Sequence, residues 1–176
     1  MLLKNDVLKL RALEPTDLEL LYEWENNPDV WEVGNTLTPY SKFILHQYIE
    51  NSHKDISESK QLRLIIELNQ DEYSEPIGTI DLFDIDFFHS RSGLGILIYN
   101  SDYRNKGYGA EALKLIEEYT GNHLYLNQIH CKIAEDNLSS LKLFQNAGYE
   151  ITGKLKQWKK VKNAWKDVYI LQHRLW

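Results

Sequence analysis

The stretch Ile96–Leu113, ILIYNSDYRNKGYGAEAL, carries three patterns in immediate succession. Ile96-Leu97-Ile98-Tyr99 is an apolar run of strand length. A polar turn follows, ending in Arg104-Asn105-Lys106-Gly107-Tyr108-Gly109, and a helical pattern begins at once. The start of a helix has unpaired backbone N–H groups and the positive end of the dipole. Two glycines there leave those groups uncovered. Strand, glycine turn and helix in this order predict an anion site, suited above all to a pyrophosphate. Arg104 and Lys106 place mobile positive charge beside it.

Outward from that turn, 176 residues suit one domain spanning 1–176. With 43% hydrophobic and 26% charged residues, the composition is that of a globular chain able to bury its own core. A net charge of −6 argues against a general nucleic-acid binder and leans toward a cationic small molecule. Cys131 has no partner for a disulfide, and its alternation with Ile129 and Ile133 predicts a buried strand position rather than a nucleophile. The opening MLLKNDVLKLR lacks the apolar core of a leader, and no run is long enough to span a membrane. The expectation is a cytoplasmic protein with no membrane or nucleic-acid partner.

Lys9 to Leu13 reads as a strand, and Glu14-Pro15-Thr16-Asp17 as the start of a helix with Leu18, Leu21 and Tyr22 on one face, closed by Asn26-Asn27-Pro28. Pro39 to Ile49 predicts a second helix with Phe43, Ile44, Gln47 and Tyr48 at helical spacing. Leu62–Leu68 and Ile77–Phe83 read as a hairpin across a polar turn at 69–76. Leu94–Tyr99 is the next strand, followed by the glycine turn and a helix to about Tyr119. Gln128–Ala134 is a strand. Asn137–Ala147 is a helix with Leu138, Leu141, Phe144 and Ala147 inward, stopped by Gly148. Tyr149–Thr152 and Lys166–Leu171 read as strands, with the basic segment Lys154–Asn163 between them. The pattern favours a mixed α/β sandwich.

Gly107, Gly109 and Ala112 also fit G-x-G-x-x-A, but a dinucleotide fold is excluded. Several polar residues separate the strand from the first glycine, Ile129 and His130 fall where an acidic residue belongs, and the unit occurs late. No Gly-Lys-Ser/Thr follows, so a nucleoside triphosphate loop fails too.

The order strand, Arg104-x-x-Gly107-x-Gly109, helix resembles the GNAT N-acetyltransferase superfamily, whose signature on this turn is Arg/Gln-x-x-Gly-x-Gly/Ala. Asn137-x-x-Ser140 and Phe144-x-x-x-Gly148-Tyr149 resemble its next motif, and Leu10-Arg11-Ala12-Leu13-Glu14-Pro15-Thr16-Asp17-Leu18 its first strand and helix. The ribosomal-protein N-terminal acetyltransferase and spermidine/diamine acetyltransferase branches are the most similar. The resemblance implies a GNAT fold, with a mixed, mostly antiparallel central sheet, a splayed strand pair and flanking helices. It implies acetyl transfer from acetyl-coenzyme A to a primary amine, either a small amine or polyamine or a protein N-terminus. Direct attack in a ternary complex would carry the transfer, without a metal, and members are often homodimers. A non-catalytic acyl-coenzyme A sensor or scaffold is the alternative from another class.

By the same resemblance, Leu97, Ile98 and Tyr99 line the pantetheine arm, and the Tyr99 or Ile98 backbone N–H holds the oxyanion. Arg104, Asn105, Lys106, Gly107, Tyr108, Gly109 and Ala110 hold the pyrophosphate. Asn137, Ser140 and Phe144 complete the coenzyme side. Two departures stand out. Phe144 replaces the tyrosine that many members use as acid, which leaves Ser140 as a candidate donor. Leu94 replaces a glutamate that acts as base through water, which leaves Asp81, with Asp84 and Asp86 on the following turn. Asp81 falls where the polyamine branch has a substrate-site glutamate. The segment Trp24-Glu25 to Trp31-Glu32 is a candidate acceptor wall, through Trp31 and Glu32 with Asp81.

Overall fold

The computed structural model describes residues 3–34, 36–69 and 74–176, and of residues 32–34 only the backbone. Its strands are β1 (Leu8–Arg11), β2 (Leu62–Asn69), β3 (Ser74–Asp86), β4 (Arg91–Ile98), β5 (Gln128–Ala134), β6 (Glu150–Val161) and β7 (Ala164–Arg174). Its helices are α1 (Leu18–Glu25), α2 (Pro28–Gly34), α3 (Lys42–Asn51), α4 (Ile56–Ser59), α5 (Tyr108–Asn122) and α6 (Leu138–Asn146). Among the described residues the strands form one seven-stranded sheet, ordered β1-β2-β3-β4-β5-β7-β6. Every pairing is antiparallel except β4 with β5. No helix of the described residues is long and apolar enough to cross a membrane.

Helices cover both sheet faces, which is why β2 is apolar in succession rather than by alternation. Leu64 and Ile66 of β2, Ile80 and Leu82 of β3 and Leu94 of β4 join the main core with Ala112, Leu113 and Ile116 of α5. Ile65 faces the other way and packs with Leu13, Leu21, Leu45 and Ile49 beneath α1 and α3. The expected hairpin is present, with β2 and β3 registered from Leu62↔Leu82 to Asn69↔Ser74. The turn expected at 69–76 lies largely outside the described residues.

The parallel pair makes the opening that a site needs. β4 and β5 pair only over Arg91–Gly93 and Gln128–His130. Past Gly93, β4 stays bonded to β3 and β5 to β7, so the two strands diverge.

One local expectation is extended and three are corrected. α1 ends at Glu25 with Asn26 as its C-cap, as Asn26-Asn27-Pro28 predicts, and Pro28 then occupies the first position of a short additional helix, α2, where its missing N–H costs nothing. In α3 the buried residues are Leu45 and Ile49, while Phe43 is 68% exposed and Ile44 48%. Ser41 caps that helix and so sets its phase. Leu138 is 71% exposed because it precedes the face on which Leu141 and Phe144 turn inward. The lysine-rich segment after Gly153 is strand to Val161, not connection, since pairing with β7 satisfies its backbone and Asp167 holds Lys154 and Lys156.

Candidate active site

A cleft of about 820 Å³ runs through the β4–β5 opening, from Glu25 and Tyr40 at one end to Trp158 and Lys166 at the other. Leu97, Tyr99, Asn137, Ser140 and Phe144 line it, as does Asp81.

The backbone of β4 supplies its donors. Tyr99 N–H donates to the Ile77 carbonyl at 3.1 Å, in continuation of the Gly78↔Ile98 register. Alternate residues of an antiparallel strand bond to the same neighbour. Leu97 and Tyr99 therefore turn their backbone groups to β3, and Ile96 and Ile98 turn theirs to the opening. Of the two donors expected for an oxyanion, the Tyr99 N–H is already committed to Ile77, which corrects that expectation, and the Ile98 N–H is the one that faces the opening.

The glycine turn is built as a helix start without a side-chain cap. Gly107 is the N-cap residue of α5, with φ +88°. A Cβ there would meet nothing within 4 Å, so backbone conformation, not crowding, requires glycine. The Gly107 carbonyl accepts from the N–H groups of Ala110 and Glu111, which leaves Tyr108 and Gly109 as helix-start donors. A Cβ on Gly109 would stand 3.2 Å from Leu143, so this glycine lets α5 approach α6. Asn105 adds a second left-handed residue, φ 59°, to the turn. Lys106 lies over the Tyr103 ring at 5.7 Å. Arg104 is not mobile: its guanidinium donates to the carbonyls of Ile98 and Tyr99, both at 2.9 Å, and clamps the turn to the end of β4.

On the opposite wall, the Asn137 carboxamide oxygen caps α6, accepting from Ser140 N–H at 3.2 Å and Ser139 Oγ at 3.1 Å. Asn137 is thus both cap and cleft wall. Phe144 is buried and meets Tyr149 edge-on with ring centroids 4.9 Å apart. Cys131 also borders the cleft, but burial pushes its thiol up to about 12, far from a nucleophile at neutral pH.

The acidic end was only partly legible. Asp81 is not a free carboxylate: Arg63 Nε donates to its Oδ1 at 2.6 Å, and Arg63 Nη2 to Oδ2 at 3.4 Å. Arg63 Nη1 donates to Glu25 Oε1 at 2.6 Å, and the Tyr99 hydroxyl reaches the same oxygen at 3.3 Å. Tyr99 stacks on Trp24, with centroids 4.3 Å apart and planes 9° from parallel. Burial lifts the Asp81 carboxyl above its ordinary value against the pull of Arg63. Burial also opposes charge on Arg63, but Asp81, Tyr48 and Glu25 outweigh it and hold the guanidinium charged. Burial raises the Tyr99 phenol, and Glu25 raises it further, so it stays neutral.

Sequence reasoning missed Arg63 altogether. The available signal was a lone cation inside the apolar run Leu62-Arg63-Leu64-Ile65-Ile66. Trp31 does not line the cleft; its indole donates to the Glu25 carbonyl at 2.9 Å and ties α2 to α1. The Glu32 side chain lies outside the described residues. Asp86 holds the β3–β4 turn, accepting from His89 N–H at 2.9 Å and pairing with Arg91 at 3.3 Å, and it stands apart from the cleft.

The sequence profile of the acetyltransferase (GNAT) domain matches residues 8–150. The spermidine N(1)-acetyltransferase of Vibrio cholerae serotype O1 is 26% identical over 173 residues, covering 97% of this chain and 96% of that one. The acetyltransferase PseH of Campylobacter jejuni is 29% identical over 140 residues, covering 79% and 80%. A crystal structure of the Vibrio cholerae spermidine N-acetyltransferase in complex with CoA and spermine superimposes with a TM-score of 0.84 at 24% identity, covering 97% of each chain. That last similarity establishes a shared fold.

Proposed function

The chain belongs to the GNAT acetyltransferase family, and from that membership we propose that it acetylates a small cationic amine of the polyamine class. Acetyl-coenzyme A is the cosubstrate and supplies the acetyl group as a thioester. The chain's own features suit that donor. The opening beside Ile96 and Ile98 offers unpaired backbone donors to an extended arm, and the uncapped start of α5 offers Tyr108 and Gly109 N–H groups to a pyrophosphate. Asn137, Ser140 and Phe144 close the other side of that arm. The Ile98 N–H takes the developing oxyanion, a role in which a preset donor contributes about 2.7–4 kcal/mol. Both substrates then occupy one cleft, and the amine attacks directly without a covalent enzyme intermediate.

One observation carries the choice of acceptor: a single guanidinium, Arg63, stands between two carboxylates, Glu25 and Asp81, at the cleft wall. The cluster keeps one uncompensated negative charge, with Tyr40 and Tyr99 on the same cleft wall and the Tyr48 ring against Arg63. An ammonium group suits both features. The Vibrio cholerae relative, named for spermidine, supports the same class.

The test is thiol release from acetyl-coenzyme A with spermidine, spermine, short diamines and peptides bearing free N-termini. The expected outcome is a kcat/KM for a polyamine at least tenfold above that for any peptide. Asp81→Asn, which makes the cluster neutral, should lower that kcat/KM about tenfold or more, with the acetyl-coenzyme A KM within twofold of its original value. Turnover of peptide N-termini alone would sink the polyamine assignment. Coenzyme binding with no turnover on any amine would favour a sensor.

A further inference from the structure

The family's usual water-activating glutamate is absent at Leu94, which is buried in the core, so the acceptor's proton needs another destination. Among the described residues, the carboxylates lining the cleft are Glu25, Asp81 and Asp136. Asp136 is paired with Lys166 at the hairpin end of the cleft. Both oxygens of Asp81 are engaged by Arg63. Glu25 differs from both: Oε1 is fixed by Arg63 and Tyr99, while Oε2 has no bond among the described residues. Its side chain is 12% exposed, so that oxygen is screened from bulk solvent but reachable from the cleft.

Resting on the acceptor class above, we infer that Glu25 is the proton acceptor of the transfer and that Arg63 and Tyr99 are its positioning residues. The ammonium docks on Oε2 and gives it one proton, which passes on to solvent. The freed nitrogen lone pair forms the C–N bond to the thioester carbonyl carbon. The C–S bond breaks, its electron pair leaves with sulfur, and the second proton shed by nitrogen ends on the coenzyme thiol. Arg63 fixes the carboxylate plane from β2, Tyr99 from just past the end of β4, and Asp81 from β3 holds Arg63 in place. Tyr48 of α3 lies over the same guanidinium at 5.4 Å. These are the ionisable groups that face Glu25 or its arginine, and Tyr40 borders the cleft nearby.

The experiment compares the unmodified protein with Glu25→Gln and Glu25→Asp, on whichever amine of the panel the unmodified protein acetylates. Glu25→Gln keeps the Oε1 acceptor and removes the base. Its kcat should fall about 100-fold, in the range general-base loss produces. The acetyl-coenzyme A Kd by calorimetry should stay within twofold. The rate of Glu25→Gln should keep climbing with pH where the unmodified protein levels off, because only the amine already deprotonated in solution reacts. Glu25→Asp, with the carboxylate withdrawn by one methylene, should fall between the two. A Glu25→Gln kcat within threefold of the original overturns the assignment. So does a large loss with an unchanged pH profile, which indicates a packing role alone. Turnover by the unmodified protein with an unaffected Glu25→Gln overturns Glu25 and leaves the acceptor class standing. No turnover by the unmodified protein on any amine overturns both.

Discussion

Two arginines on the same face of the sheet each stand between two carboxylates. Arg11 of β1 binds Asp17 through both terminal nitrogens, at 2.8 and 2.9 Å, and Glu67 of β2 through Nε. Lys9 joins Glu67 at 2.7 Å, so that cluster has two cations for two carboxylates. Arg63 of β2 binds Asp81 and Glu25, with no second cation on them among the described residues. The first cluster is closed off, with Asp17 and Glu67 both 5% exposed. The second opens on the cleft. The same side-chain types thus serve two ends. A charge-matched cluster fastens the first strand and the turn before α1 to the sheet. An unmatched cluster leaves one negative charge where a substrate cation can complete it.

Removing each arginine is the strongest way to break this comparison. Arg11→Met leaves Asp17 without its cation while Lys9 still holds Glu67, and Arg63→Met leaves both Glu25 and Asp81 without theirs; breaking a buried pair costs about 3–5 kcal/mol in such cases. Both should lower Tm by calorimetry. Only Arg63→Met should also reduce kcat/KM, by about 100-fold, measured at a temperature where both variants remain folded. Arg11→Met should stay within threefold. Equal losses of activity would erase the distinction between the two clusters.

Acid sharpens it next. Burial works against charge on Glu67, but hydrogen bonds from Lys9, Ser74 and Arg11 outweigh it and hold the carboxyl at about 2 instead of 4.5. A depressed carboxyl stabilises the fold above pH 4.5, and that contribution is lost as pH falls toward 2. Glu67→Gln should therefore lower stability by about 2 kcal/mol at pH 7, discounted for solvent reaching Lys9, and by much less at pH 2. Denaturant titrations at the two pH values read this difference. An undiminished difference at pH 2 would remove the electrostatic account.

Gly107→Val leaves both clusters intact and acts at the turn proposed for the coenzyme. A branched residue held at φ +88° is strained by about 1–2 kcal/mol, and its side chain fills the open space before the helix start. The acetyl-coenzyme A KM should rise at least tenfold while the amine KM stays within twofold. An unchanged coenzyme KM would remove the pyrophosphate from this turn. The smallest effect is expected for Tyr99→Phe, which deletes the hydroxyl's 3.3 Å contact to Glu25 and its bond with Thr79 and keeps the Trp24 stack. Loss of about 1 kcal/mol or less in kcat/KM is expected.

The turn proposed for the coenzyme was legible as local structure because its residues are contiguous. Arg104 to Ala110 follow one another, and Gly107 takes the left-handed conformation that glycine adopts most readily. Even so, the sequence suggested a mobile Arg104, and its capture by the Ile98 and Tyr99 carbonyls appears only once the turn folds back on β4. The end proposed for the acceptor was poorly legible because it is assembled from α1, β2, β3 and the residue after β4, with Glu25, Arg63, Asp81 and Tyr99 far apart in the chain. Trp31 shows the same limit from the other side: an indole in an acidic segment suggested a ligand wall, and its N–H went to the Glu25 carbonyl.

Local order of residue types by itself determined the strand–turn–helix at Ile96–Leu113, the hairpin of β2 and β3, and the capped helix after Asn137, since each depends on near neighbours and on backbone groups they must satisfy. Only the tertiary structure decided which β4 N–H groups face the opening and which carboxylate keeps a free oxygen. The first depends on the register of β4 against β3, where a shift of one residue exchanges every donor. The second depends on where one guanidinium from a neighbouring strand comes to rest.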